Sequence, residues 1–258
     1  MAKSNAAVAE KPEVSTTAVA EPNRHEVPAY IRQGASRGNE SVSTEDIQIP
    51  RLEVTQDLSP IVKDGDAEAG QLYNSVTGEV YGDTVLFTPI IFMKQFLVWK
   101  DRKAGGGFLG AFPTPEAAQA RVNEAVDAGD NARFITIVPT PIHYGLLLEP
   151  LGDGKHKMVE VAISMPRSKE KISKRFNSMV QLAEGDRFSR VYQIGAVEAS
   201  SQGGDYYNFD VKPHGWAPED VYRAAEKIYE KVIKAGGGLN VNHEGAQEQE
   251  AGAGSEEY

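Results

Sequence analysis

One stretch of the chain is rich in β-forming residues over a greater length than a flat strand normally has. It covers residues 83–101 and reads DTVLFTPIIFMKQFLVWKD. Strands in globular proteins usually run for about five or six residues, so this stretch predicts a long strand with a bend at Pro89. Its apolar run is broken by Pro89, Lys94 and Gln95, and it is therefore too short to cross a membrane as a helix.

Strand and helix signals follow one another in order on both sides of this stretch. Apolar alternation predicts a strand within residues 47–56, and two short strands around a turn within residues 71–82. After the long strand, the pattern predicts helices at residues 114–129, 168–183 and 218–236, and strands at residues 133–150, 157–166, 187–199 and 206–212.

The order strand, strand, strand, helix, strand, strand is that of the oligonucleotide-binding (OB) barrel, and a long bent first strand is typical of it. The predicted fold class is mainly β with α (α+β). In this prediction an OB-like five-stranded barrel carries extra N-terminal strands and a C-terminal helix. Other α+β arrangements fit the same order of elements.

Composition divides the chain into three parts. Residues 1–45 are rich in Ala, Glu, Pro, Ser and Thr and have almost no apolar periodicity, which predicts a disordered N-terminal arm. Residues 46–235 contain the predicted elements and form the expected nucleic-acid-binding domain. Residues 236–258 are predicted to be a disordered acidic tail, since five glutamates and no lysine or arginine follow Gly238. The alternative interpretation of this tail is a solubilising segment.

Positive charge is concentrated in one part of an acidic chain. The formal net charge is −10, yet residues 155–190 contain nine Lys or Arg against four Asp or Glu. Aromatic residues lie within this segment or shortly after it, at Phe176, Phe188, Tyr192, Tyr206, Tyr207 and Phe209. A groove for single-stranded nucleic acid requires cations along the phosphates and rings that stack on the bases. We therefore expect such a groove here.

Period-two alternation in the strand at residues 187–199 places Phe188, Arg190 and Tyr192 on one side. Burying Arg190 between two rings would require a buried acidic partner at considerable cost. We therefore expect this side of the strand to be open to a ligand. The alternative is an exposed face on which the arginine simply stacks on a neighbouring tyrosine.

The expected site combines stacking rings with phosphate-binding cations. Bases are predicted to stack on Trp99, Phe188, Tyr192 and Tyr206, and phosphates to contact Lys100, Arg102, Lys103, Arg175, Arg187 and Arg190. The cations of the helix at residues 168–183 fit an ordinary solvated face equally well. The glycine-rich segment after Lys103 also fits a plain mobile hairpin.

Catalytic, metal and cofactor sites are not predicted. The chain has no cysteine, and its five histidines include no pair with metal-ligand spacing. Gly105, Gly107 and Gly110 match a dinucleotide-binding pattern, but no helix signal follows them. We therefore expect a protein that is not an enzyme and that has no cofactor.

Three segments resemble those of a widespread bacteriophage protein: GNESVSTEDIQIPRLEVTQDLSP at residues 38–60, FLVWKDRKAGGGFLGAF at residues 96–112 and GDRFSRVYQIG at residues 185–195. A basic aromatic barrel, a glycine-rich linker and an acidic C-terminus with a final aromatic residue also resemble the single-stranded DNA-binding proteins of short-tailed bacteriophages. The resemblance implies binding of single-stranded DNA without sequence preference, for phage DNA replication and recombination in the cytoplasm of the infected bacterial host.

The resemblance also implies protein partners. The tail residues Glu256, Glu257 and Tyr258 would dock on a replication protein such as a polymerase, helicase or nuclease. The glutamates of the tail would also occupy the basic groove when DNA is absent, because they mimic its phosphates. No membrane partner is expected, and a homo-oligomer is compatible with the sequence. The alternative function is a phage structural or host-interaction protein whose basic region is a protein interface, and an enzyme acting on nucleic acid comes third.

Overall fold

The computed structural model describes residues 37–43, 46–152, 155–201, 204–234, 236, 239, 241 and 243. The chain divides into two compact units, residues 1–41 and 42–258, and the described helices and strands lie in the second. In the first unit the Gly38 N–H donates to the Glu40 carboxylate at 3.0 Å, and most of the predicted N-terminal arm lies outside the described residues. None of the described helices is long and apolar enough to span a bilayer.

The described part of the second unit contains nine strands and four α-helices. In chain order they are β1 (Leu52–Val54), α1 (Pro60–Lys63), β2 (Leu72–Asn74), β3 (Val80–Gly82), β4 (Thr84–Lys100), β5 (Gly107–Phe112), α2 (Pro115–Asp127), β6 (Ile135–Gly152), β7 (Lys155–Ser164), α3 (Glu170–Leu182), β8 (Arg190–Ser201), β9 (Gly204–Trp216) and α4 (Glu219–Lys234). The start of α2 agrees with its sequence signal, since the Thr114 hydroxyl accepts a hydrogen bond from the Ala117 N–H at 3.2 Å.

Six strands form one antiparallel sheet in the order β7-β6-β4-β8-β9, and β5 pairs with the far end of β4. The predicted long strand is β4, which pairs with β6 between Leu86 and Lys100 and with β8 only between Thr84 and Phe87. The fold is mainly β with a few helices, so the α+β prediction is confirmed. The expected OB-like barrel is not confirmed, because the sheet of the described residues is open and ends at β7 and β9.

The long strand bends at the predicted proline. Its pairing with β6 shifts between Pro89 and Ile91, and such a bulge bends the strand that carries it. Pro89 lies opposite Gly145 of β6. A Cβ atom at Gly145 would lie 2.1 Å from the Thr88 carbonyl oxygen, so the close approach of the two strands at the bend requires glycine.

The two faces of the main sheet have separate cores. One face packs against α3 and against a small antiparallel sheet of β1, β2 and β3, and its core includes Leu52, Leu72, Phe87, Phe176 and Tyr192. The other face is covered by α4, and its core includes Ile90, Leu146, Phe188, Val221 and Ala225. Phe188 and Tyr192 therefore belong to different cores.

The outer edge of β9 is blocked by side chains. The Gln56 amide nitrogen donates to the Tyr207 carbonyl at 2.9 Å, and the Gln56 amide oxygen accepts from the Tyr207 N–H at 2.8 Å. The Asn208 side chain accepts from the Phe209 N–H at 2.9 Å. Because these backbone groups are already bonded, this part of the edge does not recruit another strand.

A C-terminal segment packs against the main sheet beyond α4. Val241 and His243 are 4% and 1% exposed. Val241 packs with Ile142 of β6, and His243 Nε2 lies 2.9 Å from the Gln95 side-chain oxygen on β4. These residues fall within the segment predicted to be a disordered tail, whereas residues 244–258 lie outside the described part of the chain.

Candidate nucleic-acid interface

Arg190 and Trp216 form an exposed cation–aromatic pair. The two residues lie opposite each other in the β8–β9 ladder, and the guanidinium carbon of Arg190 lies 3.9 Å from the centre of the Trp216 ring. Trp216 is 60% exposed. Within the described residues the side chain of Arg190 has neither a hydrogen bond nor a carboxylate partner, and its Nε is buried. The positive charge of Arg190 is therefore available to bind an anion next to the exposed Trp216 ring.

Arg187 lies in the turn before β8 and is held from two sides. Its Nη2 donates to His143 Nδ1 and to Asn177 Oδ1, each at 2.9 Å. The guanidinium carbon lies 5.6 Å from the centre of the Phe92 ring and 6.0 Å from that of Phe176. Burial lowers the pKa of Arg187 to about 10. The side chain therefore keeps its positive charge at neutral pH.

His143 holds Arg187 in place as a neutral acceptor. Its ring is 0% exposed and stacks on Phe176 with the centroids 4.6 Å apart. Because arginine only donates, Nδ1 is the accepting nitrogen and Nε2 carries the proton, which it donates to Ser173 Oγ at 2.8 Å. Burial and then the charge of Arg187 lower the pKa of His143 to about 3. At neutral pH the positive charge here belongs to the arginine alone.

Tyr192 connects the two arginines. Its ring is 1% exposed and lies 4.9 Å from the ring of Phe176. Burial raises the pKa of Tyr192, and the positive charges of Arg190 and Arg187 oppose that rise. Arg190 points to the same face of β8 as Tyr192, and Arg187 lies 6.0 Å from the centre of the Phe176 ring, so the two cations lie in one region. We name the set of Arg187, Arg190, Phe92 and Trp216 the arginine–aromatic site.

Three of the predicted stacking rings are buried. Trp99, Phe188 and Tyr192 are 9%, 5% and 1% exposed, so none of them presents a face to a base in this structure. The expectation that Phe188 and Tyr192 share one side with Arg190 does not hold for Phe188. Since β8 begins only at Arg190, Phe188 lies in the preceding turn and the strand alternation does not extend to it. Tyr206, the fourth predicted ring, is half-buried.

The predicted cations are distributed over three places. Arg187 and Arg190 lie just before and at the start of β8, Arg175 is exposed on α3, and Lys100, Arg102 and Lys103 lie at the far end of β4. A strand rises about 3.3 Å per residue, so Lys100 lies roughly 26 Å along β4 from Phe92. Lys100 pairs with Asp130, whereas Arg102 and Lys103 are exposed. The single groove expected from the sequence is thus divided between the middle of β4 and its far end.

A family model described as Pam3 phage gp34-like protein matches residues 17–237. The chain belongs to the Pam3 phage gp34-like family. The match includes every described helix and strand. No curated protein and no solved structure matches the chain. The bacteriophage part of the resemblance is therefore confirmed, while the family description states no biochemical function.

Sequence patterns do not identify two residues of the site in this phage protein. The strand predicted at residues 206–212 extends to Trp216 as β9, and only the β8–β9 register shows that Trp216 faces Arg190. Phe92 belongs to the predicted long strand, but its contact with Arg187 depends on the turn before β8. For Trp216 the sequence contained one signal. It is an aromatic residue shortly before the last helix, and it does not belong to the apolar stripe of that helix.

Potential metal ligands are not grouped in the described ranges, where no three His, Asp or Glu side chains are placed to hold a metal ion. The buried histidines are engaged with protein groups instead. His143 bonds to Ser173 and Arg187, and His243 bonds to Gln95. Burial is the main cause that lowers the pKa of His243 to about 4. Both histidines are thus neutral hydrogen-bonding groups at physiological pH.

Proposed function

We propose that this protein binds single-stranded DNA without sequence preference and serves phage DNA replication and recombination in the cytoplasm of the infected host. The observation that carries the proposal is the pairing of Arg190 with Trp216. The ring is 60% exposed, and a guanidinium group without a carboxylate partner among the described residues lies 3.9 Å from its centre. A base of any sequence stacks on such a ring while the cation binds the adjacent phosphate.

Stacking and charge act together in this arrangement. Each base stacked on an aromatic side chain contributes about 1–3 kcal/mol, and an arginine over the ring adds a cation–π contribution. Phe92 is 40% exposed and lies beside Arg187, so it supplies a second ring with a cation next to it. Two ring–cation pairs of this kind support binding of a short stretch of unpaired strand.

The surrounding charge favours a polyanion. Residues 167–190 contain seven Lys or Arg against three Asp or Glu, and Lys171 and Arg175 are exposed on α3. The more distant Lys100, Arg102 and Lys103 would contact phosphates further along a bound strand. The proposal does not depend on an OB-like barrel, because the residues of the arginine–aromatic site lie on β4, β8 and β9 of an open sheet and in the turn before β8.

In this proposal the acidic tail binds the protein partners. Glu256, Glu257 and Tyr258 would dock on a polymerase, helicase or nuclease, and these residues lie outside the described part of the chain. Glutamates tethered to the same chain would also compete with DNA for the cations, because tethering gives them a millimolar effective concentration. The tail would then be released for its partners when DNA binds.

The two tryptophans of the chain, Trp99 and Trp216, provide the test of the proposal. They are 9% and 60% exposed. In Trp99→Phe the tryptophan fluorescence comes from Trp216 alone, and oligo-dT is expected to quench it to saturation at low salt. Trp216→Phe is the matched control, because the buried Trp99 should not respond. The absence of quenching in Trp99→Phe would contradict the proposal.

A phage structural or host-interaction protein is the second candidate function. It is favoured by apolar side chains exposed outside the arginine–aromatic site, since Leu182 and Ile233 are 86% and 52% exposed. The basic region would then bind a protein, and oligo-dT would leave the fluorescence of Trp216 unchanged. An enzyme acting on nucleic acid comes third. A magnesium-dependent nuclease assay tests it, and we expect no cleavage.

A further inference from the structure

Arg187 is a half-buried cation whose charge no neighbouring carboxylate neutralises. Among the described residues it has no ion-pair partner. Its sequence neighbour Asp186 accepts a hydrogen bond from the Tyr222 hydroxyl, and Glu170 on α3 pairs with Lys94 at 3.4 Å. The carboxylates of Asp186 and Glu170 are thus engaged with other side chains. A partly buried cation without a counter-ion favours the binding of an anion.

The donors of Arg187 are only partly used. The two N–H groups of Nη2 are taken by His143 and Asn177. In the part of the chain that the structure describes, Nε is buried without a partner and Nη1 has none. His143 and Asn177 are both neutral acceptors, so they fix the guanidinium group without cancelling its charge. The side chain is therefore held ready for a ligand that accepts hydrogen bonds and carries negative charge.

Arg190 supplies a second uncompensated charge in the same region. Its Nε is also buried and without a partner among the described residues. Arg190 and Tyr192 are two residues apart on β8 and point to the same face. The buried Tyr192 ring lies 4.9 Å from the Phe176 ring, whose centre is 6.0 Å from the guanidinium carbon of Arg187. Since His143 is neutral, the local charge is that of two guanidinium groups. A ligand with two negative charges matches it better than a ligand with one.

We propose that Arg187 and Arg190 bind a phosphate monoester or inorganic phosphate as a discrete ligand. Guanidinium groups match phosphate oxygens in geometry, and a monoester carries a charge of about −1.5 to −2 at neutral pH. A carboxylate or an internal phosphodiester carries only one negative charge. The ligand is either the terminal phosphate of a nucleic-acid strand or free phosphate. The inference goes beyond the proposed function, because stacking on Trp216 needs no terminal phosphate.

Thermal unfolding of the full chain tests this site with inorganic phosphate as the probe. Saturating phosphate should raise the Tm by about 4 °C relative to chloride at equal ionic strength and pH. Arg187→Gln should lose this increment, whereas Arg223→Gln, which removes an exposed arginine of α4 outside the site, should keep it. Phosphate also stabilises proteins non-specifically by exclusion from their surface, and that effect is common to all variants. An increment that persists in Arg187→Gln would overturn the proposal.

Calorimetric titration of the unmodified chain with inorganic phosphate keeps the test independent of the folding of any variant. We expect a saturable one-site heat, and the affinity should fall about tenfold or more in Arg187→Gln. The absence of a saturable heat would overturn the proposal.

Oligo-dT with a phosphate or a hydroxyl group at its 5′ or 3′ end distinguishes the two sources of the ligand. Tighter binding of a phosphorylated oligonucleotide, lost in Arg187→Gln, would assign the site to a strand terminus. Equal binding of all the oligonucleotides together with a saturable phosphate heat would assign it to free phosphate. If oligo-dT does not bind while inorganic phosphate does, the proposed function fails and the phosphate site stands. If oligo-dT quenches Trp216 while inorganic phosphate gives no saturable heat, the phosphate site fails and the proposed function stands.

Discussion

Burial decides the charge of individual side chains in this protein. His143 and His243 are 0% and 1% exposed, and their pKa values are lowered, mainly by burial, to about 3 and about 4. Arg187 is half-buried as well, yet its pKa of about 10 keeps it charged. The arginine–aromatic site is therefore positive because a residue type with a high intrinsic pKa occupies a position where histidine would lose its proton.

The free energy of unfolding should fall as the pH drops below about 6.5, the ordinary pKa of histidine. The unfolded chain then binds protons that folded His143 and His243 do not bind until pH values of about 3 and about 4. The expected loss is about 1.4 kcal/mol per pH unit for each histidine. Urea unfolding at pH 6 and pH 5 measures it above the range in which ordinary carboxylates titrate.

Two histidine variants separate the contribution of His143 to this pH dependence from that of the other titrating groups. His143→Gln keeps a hydrogen-bonding side chain but removes the titrating group, so the pH dependence between pH 6 and pH 5 should fall by about half. His214→Gln, at an exposed position of β9, should leave it unchanged. If His143→Gln retained the full pH dependence, His143 would not be the neutral buried group described above.

At the scale of elements, β4 and β6 approach each other closely at the bend. Gly145 meets three groups of β4 there, because a Cβ atom would lie 2.1 Å from Thr88 O, 2.7 Å from the Phe87 ring and 2.9 Å from the Pro89 Cα. Two of these atoms belong to the backbone and do not rotate away. The bend of β4 and the glycine of β6 therefore form one structural unit.

Gly145→Ala should destabilise the protein by about 3 kcal/mol or more, because the added methyl group forces the two strands apart. The measurement is the midpoint of urea unfolding. Gly215→Ala is the matched control, since a Cβ at Gly215 meets nothing within 4 Å and its φ is not positive. Equal stability of the two variants would mean that β4 and β6 do not approach each other as described.

Local patterns predicted the elements better than their pairing. The capping signal at Thr114 gave the start of α2, and the apolar face around Phe176 gave the buried side of α3. The strand β5 was hidden because glycine is common in it and weakens the strand pattern. Strand order and the pairing of Arg190 with Trp216 depend on contacts distant in sequence. A periodicity reports only which side of a strand is apolar, so neither the open sheet nor the site could follow from it.

At the scale of the whole molecule, the arginine–aromatic site and the start of the acidic tail lie on opposite faces of the main sheet. Phe92 and Gln95 are three residues apart on β4 and thus point to opposite faces, and His243 contacts Gln95. Fifteen residues follow His243, and a chain of that length extends to at most about 50 Å. We expect this length to let the tail reach around the sheet to the cations.

Two truncations should separate the packed segment from the acidic tail. Removing residues 245–258 keeps Val241 and His243, so the urea midpoint should not change while oligo-dT binding tightens. Removing residues 237–258 also exposes apolar surface under Val241, and the free energy of unfolding should fall by about 2 kcal/mol. If removal of residues 245–258 left the oligo-dT affinity unchanged, the tail would not compete with DNA for the cations. Unchanged stability in the longer one would show that the segment contributes no packing.

The affinity for oligo-dT at two salt concentrations tests the central claim most directly, in the unmodified chain, in Arg190→Gln and in the control Arg223→Gln on α4. Single-strand binding should weaken by about 0.7 log units per log unit of salt for each phosphate neutralised. Arg190→Gln should reduce this slope by about 0.7, and Arg223→Gln should leave it unchanged. Undetectable binding, binding insensitive to salt, or an unaltered slope in Arg190→Gln would contradict the account.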